Sequence, residues 1–331
     1  MKLIVQIPCF NEEKTLPLTL RDIPRQIPGV DEVEVLVIDD GSVDRTAEVA
    51  RQNGVDHVVR FAGNKGLAVG FMAGLDACLK LGADLIVNTD ADNQYSGKDI
   101  GKLLQPILEG RADMVIGNRD VGNITHFSFT KKKLQKLGSW VIRHVSDTDV
   151  PDATSGFRAF NREAALKLNV LSDFTYTLET IIQAGIKNIT VDSVTVRTNE
   201  KLRESRLFKS VGFYISKSIG TIIRIYTMYQ PLRVFTGVGG TIFSVGVLLG
   251  IRFLYYYFTG SGAGHVQSVI LSAVLSIIGF QIIMIGLLAD IIAANRRLLE
   301  EVLYRMKKSE AAADRSLLES REKIPGLQSR E

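Results

Sequence analysis

Asn88-Thr89-Asp90-Ala91-Asp92-Asn93-Gln94 follows an apolar run, Ala83 to Val87, that reads as a buried strand. Two carboxylates at i and i+2, just past a strand end, both reach one hard divalent cation. Such a cation prefers oxygen ligands and is held by few protein groups when phosphates supply the rest. Mg2+ or Mn2+ fits that description, with Asp90 and Asp92 as protein ligands. An acidic pair by itself also marks an ordinary solvated turn, so the segments on either side decide.

Upstream, strands and helices alternate. Leu3 to Ile7 is an apolar run stopped by Pro8, and Asn11-Glu12-Glu13 opens a helical pattern carrying Leu16, Leu18 and Leu20. Val33 to Ile38 is a second buried strand; it ends on Asp39-Asp40-Gly41-Ser42-Val43-Asp44 ahead of a helix from Thr46 to Asn53. Carboxylates at the carboxyl end of a strand lie where open α/β sheets bind ligands. Val55 to Phe61 is a third strand. Gly63-Asn64-Lys65-Gly66 then leads into a small-residue helix from Leu67 to Leu81, either as an ordinary turn or as a phosphate contact. The alternation implies a largely parallel sheet covered on both faces.

Downstream, Ile100 to Leu108 reads as helix and Met114 to Ile116 as a short strand, which puts Gly117-Asn118-Arg119-Asp120 at the same end of the sheet as the carboxylates. Lys131-Lys132-Lys133 lies in a weakly periodic stretch, as a solvated face or as a loop that meets phosphate. Val150 to Arg158 is turn-rich. Helices are expected from Arg162 to Leu168 and, bearing Glu179, from Thr177 to Ala184, with a β-branched strand from Thr190 to Val196.

The 331 residues suffice for one large domain with an appendage. A net charge of +4 with 23% charged residues argues against a nucleic-acid binder with a dominating basic surface. Cys9 and Cys78 give neither a disulfide framework nor a paired zinc spacing, and the histidines are scattered outside any metal motif. No secretory signal pattern is visible from Met1 to Pro8, so the amino-terminal half is expected in the cytoplasm.

Beyond residue 205 the composition changes. Apolar residues recur at Phe208, Val211, Ile215, Ile219, Ile222 and Tyr226, while Arg206, Lys217 and Arg224 fall within roughly 20° of one another at 3.6 residues per turn. A basic amphipathic helix suits an anionic membrane surface; the same stripe would also serve a helix packed on the soluble domain. Val234 to Ile251 and Val266 to Ala289 carry no charge, and each approaches the roughly 20 apolar residues that span a bilayer. Lys209, Lys217, Arg224 and Arg233 precede the first span and Arg296-Arg297 follow the second. The turn between them, Thr259 to His265, has no Lys or Arg, which puts both flanks in the cytoplasm. Tyr255-Tyr256-Tyr257 forms an aromatic belt at the far interface, and Arg252 and Asp290 are expected to snorkel to opposite interfaces rather than to pair. The charged tail from Leu298 has a short apolar stripe at Leu299, Val302, Leu303 and Met306, suited to oligomer contacts or to fraying.

Pro8-Cys9-Phe10-Asn11-Glu12-Glu13, Val37-Ile38-Asp39-Asp40-Gly41-Ser42, Asp90-Ala91-Asp92-Asn93-Gln94, Gly117-Asn118-Arg119 and Ser155-Gly156-Phe157-Arg158 together resemble the family 2 glycosyltransferases of GT-A fold. Within that family the chain is similar to the polyisoprenyl-phosphate hexose synthases, by motif over roughly residues 1 to 230, and its two-span tail resembles one subgroup. The expected organisation is an α/β, Rossmann-like GT-A nucleotide-sugar domain with a mostly parallel sheet over 1–204 and an amphipathic interfacial helix region over 205–230. A two-helix transmembrane hairpin over 231–297, with spans near 234–258 and 266–292, and a charged cytoplasmic tail over 298–331 complete it.

By that resemblance, Pro8, Phe10, Glu12, Ile38 and Asp40 form the base and ribose pocket. Asp90, Ala91, Asp92 and Gln94 form the metal and diphosphate site, with Asp90, Asp92 and Gln94 as metal ligands and Arg119 at the donor. Lys132, Arg158 and Arg203 are the cations that hold donor and acceptor phosphates together, Asp152 and Glu179 take acceptor-side positions, and Asp92, Asp152 and Arg119 carry catalysis. Two departures stand out: Arg203-Glu204-Ser205-Arg206 replaces the Gly-x-Ser-Lys common in relatives, and Asn93, hydrophobic in some relatives, has no assigned role.

The implied reaction moves a hexose from a UDP or GDP sugar to a polyprenyl phosphate, dolichyl or undecaprenyl, with inversion. Its enzyme would be a multi-pass membrane protein with catalytic domain and both termini cytoplasmic, and with homo-oligomerisation open. An acceptor phosphate with a second pKa of about 6 is largely ionised at neutral pH, so a general base is less needed than for a sugar hydroxyl. The competing readings are a processive polysaccharide synthase and a catalytically inactive membrane scaffold. The first would need a Gln-x-x-Arg-Trp segment, in which the sole Trp140 does not stand; the second would have lost site charges that Asp90, Asp92 and Arg119 retain.

Overall fold

The computed structural model describes residues 1–119, 148, 150–171, 175–199, 211–260 and 262–322. Lys132 with its lysine run, the segment Arg203 to Arg206, and Phe208 lie outside the described residues.

In chain order the elements are β1 (Lys2–Cys9), α1 (Leu16–Asp22), β2 (Glu32–Asp39), α2 (Thr46–Gln52), β3 (His57–Arg60), α3 (Leu67–Lys80) and β4 (Leu85–Asn88). There follow α4 (Ile100–Leu108), β5 (Met114–Asn118), β6 (Arg158–Asn161), α5 (Arg162–Lys167), α6 (Tyr176–Ile186) and β7 (Val191–Thr195). The strands form one sheet in the order β3-β2-β1-β4-β6-β5-β7. Pairings are parallel except those of β6, which runs against both β4 and β5. The mostly parallel sheet is as expected, whereas β6 is not foreseen. Its four residues, Arg-Ala-Phe-Asn, follow a turn-rich segment and show no alternation of their own; two flanking strands supply the ladder that makes them a strand.

Alternation along the strands places the two layers. Leu3, Val5 and Ile7 of β1 and Val35 and Val37 of β2 share one cluster with Leu16 of α1 and Ile100, Leu103 and Leu104 of α4. On the other face α3 packs closely because it carries glycine at Gly74, where a Cβ would strike the Gln6 amide and stand 2.8 Å from Ile38 Cδ1. Gln6 in turn donates to Asn88 across the central strands at 2.9 Å, so this buried polar pair is satisfied in the core. With both faces covered, the strands read as continuous apolar runs rather than alternating ones.

Contacts divide the chain into two compact units, Met1–Ile222 with Leu303–Glu331, and Ile223–Val302. Three further helices, α7 (Val211–Tyr229), α8 (Pro231–Phe258) and α9 (Val266–Glu322), complete the described chain. The tail is helical to Glu322, and its far part packs within the first unit. Lys308 and Tyr304 both reach the Glu163 carboxylate at 2.7 Å, Arg315 pairs with Asp84 at 3.0 Å, and Arg162 donates to the Ala311 carbonyl at 3.0 Å. Asp84 and Arg162 lie at the end of the sheet opposite the acidic turn, because β4 starts there and β6 ends there.

In the second unit, α8 and α9 are both long and apolar enough to cross a membrane. The 28 residues of α8 extend about 42 Å at 1.5 Å per residue. Small residues let the two helices meet: a Cβ on Gly239 would stand 2.8 Å from the Gly279 carbonyl, and one on Gly246 2.6 Å from Ser276 Oγ. Ser272 Oγ donates to the Gly246 carbonyl at 2.7 Å. Arg252 lies over the Tyr256 ring and Asp290 stands 4.0 Å from Arg297.

Candidate active site

The carboxyl ends of β1, β2, β4 and β5 lie together, and the loops that follow them are stitched to one another. After β1, Asn11 adopts φ 56°, which Asn tolerates, and its backbone N–H donates to Ser42 Oγ at 2.9 Å. Its side chain accepts from Val43 N–H at 2.9 Å, and the Glu12 N–H reaches Thr46 Oγ1 at 2.8 Å. After β2, the Asp40 carboxylate accepts the backbone N–H groups of Lys65 at 2.6 Å and Gly66 at 2.9 Å. Gly63-Asn64-Lys65-Gly66 is therefore the turn that holds Asp40. Gly41, at φ 70°, lies against Gly63 too closely for any side chain.

Of the expected base and ribose residues, Pro8 and Ile38 are register partners on adjacent strands. Phe10 is 38% exposed and Glu12 and Asp40 are buried, whereas Ile38 departs from its expected place in the pocket: its side chain is fully buried under α3, as an apolar residue of a strand covered on both faces is. Asp39, also buried, accepts from Ser42 N–H at 2.9 Å and stands 3.1 Å from Arg60 Nε. Arg60, Ser42, Val43 and Phe61 border a cleft of about 430 Å3 beside this loop.

The turn after β4 is fixed at several points. Thr89 N–H donates to the Gln6 carbonyl at 3.1 Å, and Asn199 N–H to the Gln94 carbonyl at 2.9 Å. Thr19 Oγ1 donates to the Ala91 carbonyl at 3.1 Å, and Gln94 N–H reaches Asp92 Oδ1 at 3.3 Å. Asn93 sits at φ 56°, which supplies the role its sequence position lacked: it turns the chain in the left-handed region where a β-branched residue would be strained. Gly156 closes the site from across the sheet. A Cβ there would stand 2.8 Å from Asp90 Oδ1 and 2.9 Å from the Tyr176 hydroxyl, so the backbone lies against the carboxylate where a side chain would displace it. Asp90, Asp92 and the Gln94 amide make a hard-oxygen donor set that fits Mg2+ or Mn2+ with phosphate oxygens completing the shell. Among the described residues no group of three or more His, Cys, Asp or Glu gathers to hold a metal on its own.

Arg119, one residue past β5, turns onto Asp152: Nε donates to Oδ2 at 2.7 Å and Nη2 to Oδ1 at 3.0 Å, with Thr154 Oγ1 accepting from Nη2 at 2.8 Å. Burial pushes the Asp152 carboxyl up, but the charge and hydrogen bonds of Arg119 and the bond from Thr154 bring it below the ordinary carboxylate value.

Arg158 departs from its expected place at an acceptor phosphate. Its side chain is fully buried, with Nε donating to the Ser155 carbonyl at 2.8 Å, Nη2 to the Ala153 carbonyl at 3.0 Å and Nη1 to Thr180 at 2.5 Å. Burial lowers it to about 10, which leaves it charged at neutral pH. It holds the 153–155 turn from within. Glu179 is likewise fully buried, accepting from Leu171 N–H at 3.0 Å and Gln183 Nε2 at 3.1 Å. Both residues are spaced in sequence like ligands, and only the packing reveals that they face inward.

Residues 4–168 match the family described as Glycosyl transferase family 2. An undecaprenyl-phosphate mannosyltransferase of Micrococcus luteus is 30% identical over 184 residues, covering 53% of this chain and 74% of that protein. The chain belongs to glycosyl transferase family 2. An uncharacterized protein of Methanocaldococcus jannaschii is 32% identical over 206 residues, 60% of this glycosyltransferase and 81% of its relative. Among solved structures, glucosyl-3-phosphoglycerate synthase from Mycobacterium tuberculosis, in complex with Mn2+, UDP and phosphoglyceric acid, superposes with a TM-score of 0.55 at 20% identity. The match covers 68% of this chain and 78% of that one, and it gives the fold as GT-A.

Two residues of this glycosyltransferase's site escape a reading of the sequence. Asn88 Nδ2 donates to the Gly156 carbonyl and to the Tyr176 hydroxyl, both at 2.8 Å, and so ties β4 to the turn before β6. Tyr95 follows the acidic turn and points into the core, 3% exposed. A polar residue at a strand end and an aromatic one just past Gln94 were the available signals.

Proposed function

We propose that this glycosyltransferase moves a hexose from a nucleoside-diphosphate sugar, UDP or GDP, to a polyprenyl phosphate at the cytoplasmic face of a membrane. The observation that carries the reading is the meeting, at one end of the sheet, of the Asp90 carboxylate with the turn that anchors Arg119 through Asp152. The name of the Micrococcus luteus relative, an undecaprenyl-phosphate mannosyltransferase, supports the lipid acceptor. The two long apolar helices support membrane attachment, and the basic residues flanking them support a cytoplasmic catalytic domain.

Pro8, Phe10, Glu12 and Asp40 are assigned to the base and ribose end, with Ile38 packed beneath them under α3 rather than open to a ligand, while Asp90, Asp92 and Gln94 would hold Mg2+ or Mn2+. The cation, when bound, offsets the negative charge that develops on the leaving diphosphate. Arg119 is held flat by Asp152, so its guanidinium meets donor phosphate without first being ordered. The ionised acceptor phosphate attacks the anomeric carbon from the face opposite the leaving group, which inverts that centre and needs no protein base. Lys132 and Arg203 are the cations proposed to hold the two anions together.

In liposomes carrying polyprenyl phosphate, the purified enzyme should release nucleoside diphosphate from its donor only when both the lipid and a divalent cation are present. Release at the same rate without the lipid would overturn the acceptor assignment.

A further inference from the structure

The acidic turn and the Arg119–Asp152 pair belong to different loops, and one residue, joined to the first through the chain, reaches the second with its side chain. Tyr95 lies in the chain one residue past Gln94, and its backbone bridges Thr198. Its ring stacks on Phe157 with centroids 5.2 Å apart and planes 20° apart, and the Arg119 guanidinium lies 5.9 Å from its centroid. Its hydroxyl oxygen accepts the Gly156 N–H at 3.0 Å and Ser155 Oγ at 3.4 Å. Gly156 and Ser155 are both buried, so no solvent replaces that acceptor.

The 152–157 turn has two functional ends. At one, Asp152 holds Arg119; at the other, Gly156 lies against Asp90 with no room for a methyl group. Arg158 ties the turn through the carbonyls of Ala153 and Ser155, but a guanidinium has no acceptor to offer the Gly156 N–H. Tyr95 alone, among the described contacts, supplies one from the side of the acidic turn.

We propose that Tyr95 is a positioning residue for glycosyl transfer, its hydroxyl setting the distance between the Asp90–Asp92 turn and the Arg119–Asp152 pair. Without the oxygen, a buried N–H is left unpaired, and the turn relaxes to find another acceptor. That movement shifts the wall of the Asp90 carboxylate and the anchor of Arg119 together. The proposal rests on the reading of Asp90 and Asp92 as metal ligands.

Tyr95→Phe in the full-length enzyme keeps the stack on Phe157 and removes only the oxygen. We expect kcat to fall roughly 10- to 100-fold. Calorimetry should show Mn2+-dependent nucleotide affinity weakened several-fold, with the melting temperature of the metal-free protein lowered by only a few degrees. Phe160→Leu, a core change on β6, gives the pattern of lost stability alone: a lower melting temperature with kcat per folded enzyme unchanged. Wild-type kcat and Mn2+ affinity in Tyr95→Phe, or the Phe160→Leu pattern, would overturn the proposal. Asp92→Ala runs beside it. If Asp92→Ala binds Mn2+ and nucleotide as wild type does, the metal reading falls and this proposal with it. If only Asp92→Ala loses that binding, the metal reading stands and the role of Tyr95 falls.

Discussion

Arg119 and Asp152 form a two-point ion pair, at 2.7 and 3.0 Å, in which the carboxylate is fully buried and the arginine side chain 14% exposed. A carboxylate so placed accepts from its arginine and from Thr154, and it is held below its ordinary proton affinity despite burial. It is a poor proton acceptor at neutral pH and a firm anchor.

The acid limb of the rate should therefore belong to the substrate. As pH falls through the acceptor phosphate's pKa of about 6, turnover should fall with it. Asp152, whose folded pKa is depressed, contributes stability that is present above the ordinary carboxylate value of 3.8 and is lost only as pH falls through the lower folded value. Asp152→Asn should lower kcat by loosening Arg119, yet leave the midpoint of the acid limb unmoved. A pH-rate profile in which that limb disappears would make Asp152 the general base instead.

Asp92→Ala should abolish transfer and remove the metal dependence of nucleotide binding, because two hard-oxygen ligands at i and i+2 are not replaced by one. Titration of Mn2+ in the presence of nucleotide reads this directly. Unchanged affinity together with normal turnover would mean that the metal lies elsewhere.

Gly156→Ala places a methyl group 2.8 Å from Asp90 Oδ1 and 2.9 Å from the Tyr176 hydroxyl. Overpacking of this kind costs about 1–3 kcal/mol. The carboxylate is the partner most able to move, so metal-dependent nucleotide binding should suffer more than thermal stability. Equal loss in both, by calorimetry and thermal melting, would show the glycine to be a packing residue only.

A chain ending at Tyr229 loses α8 and α9, and with them the contacts of Lys308, Ala311 and Arg315 on Glu163, Arg162 and Asp84. These lie at the sheet end opposite the acidic turn. Such a chain should melt at a lower temperature and still bind nucleotide sugar with its metal. It should transfer slowly to long-chain polyprenyl phosphate, because a surface helix alone attaches reversibly to a membrane, and faster to a short soluble prenyl phosphate. Equal rates on long-chain acceptor in liposomes, with and without the helices, would contradict this.

Much of this was legible in the sequence, for reasons that can be named. Buried parallel strands are apolar throughout, so β1, β2 and β4 stand out, and carboxylates just past such strands can lie only at the ligand-binding end of the sheet. What stayed hidden depends on long-range partners. The four-residue β6 exists because β4 and β5 flank it. Arg158 and Glu179 carry charge and so read as ligands, but two carbonyls and the Thr180 hydroxyl accept from Arg158 inside the core, and the Leu171 N–H and Gln183 amide donate to Glu179. Tyr95 reads as one aromatic among several until its hydroxyl is seen beneath Gly156. The tail reads as a charged segment suited to oligomer contacts or to fraying, and only Glu163 and Asp84, remote in sequence, show where Lys308 and Arg315 go.

Transfer of a hexose to a lipid phosphate can be followed with a panel of radiolabelled UDP and GDP sugars. Each is incubated with membranes containing the enzyme and added polyprenyl phosphate, and the label extracted into organic solvent is counted. Lipid-soluble label is expected from at least one donor, requiring Mg2+ or Mn2+, released by mild acid as free sugar and absent with Asp92→Ala. Label found only in a water-soluble product or in an insoluble polymer, with none in the lipid extract, would contradict it.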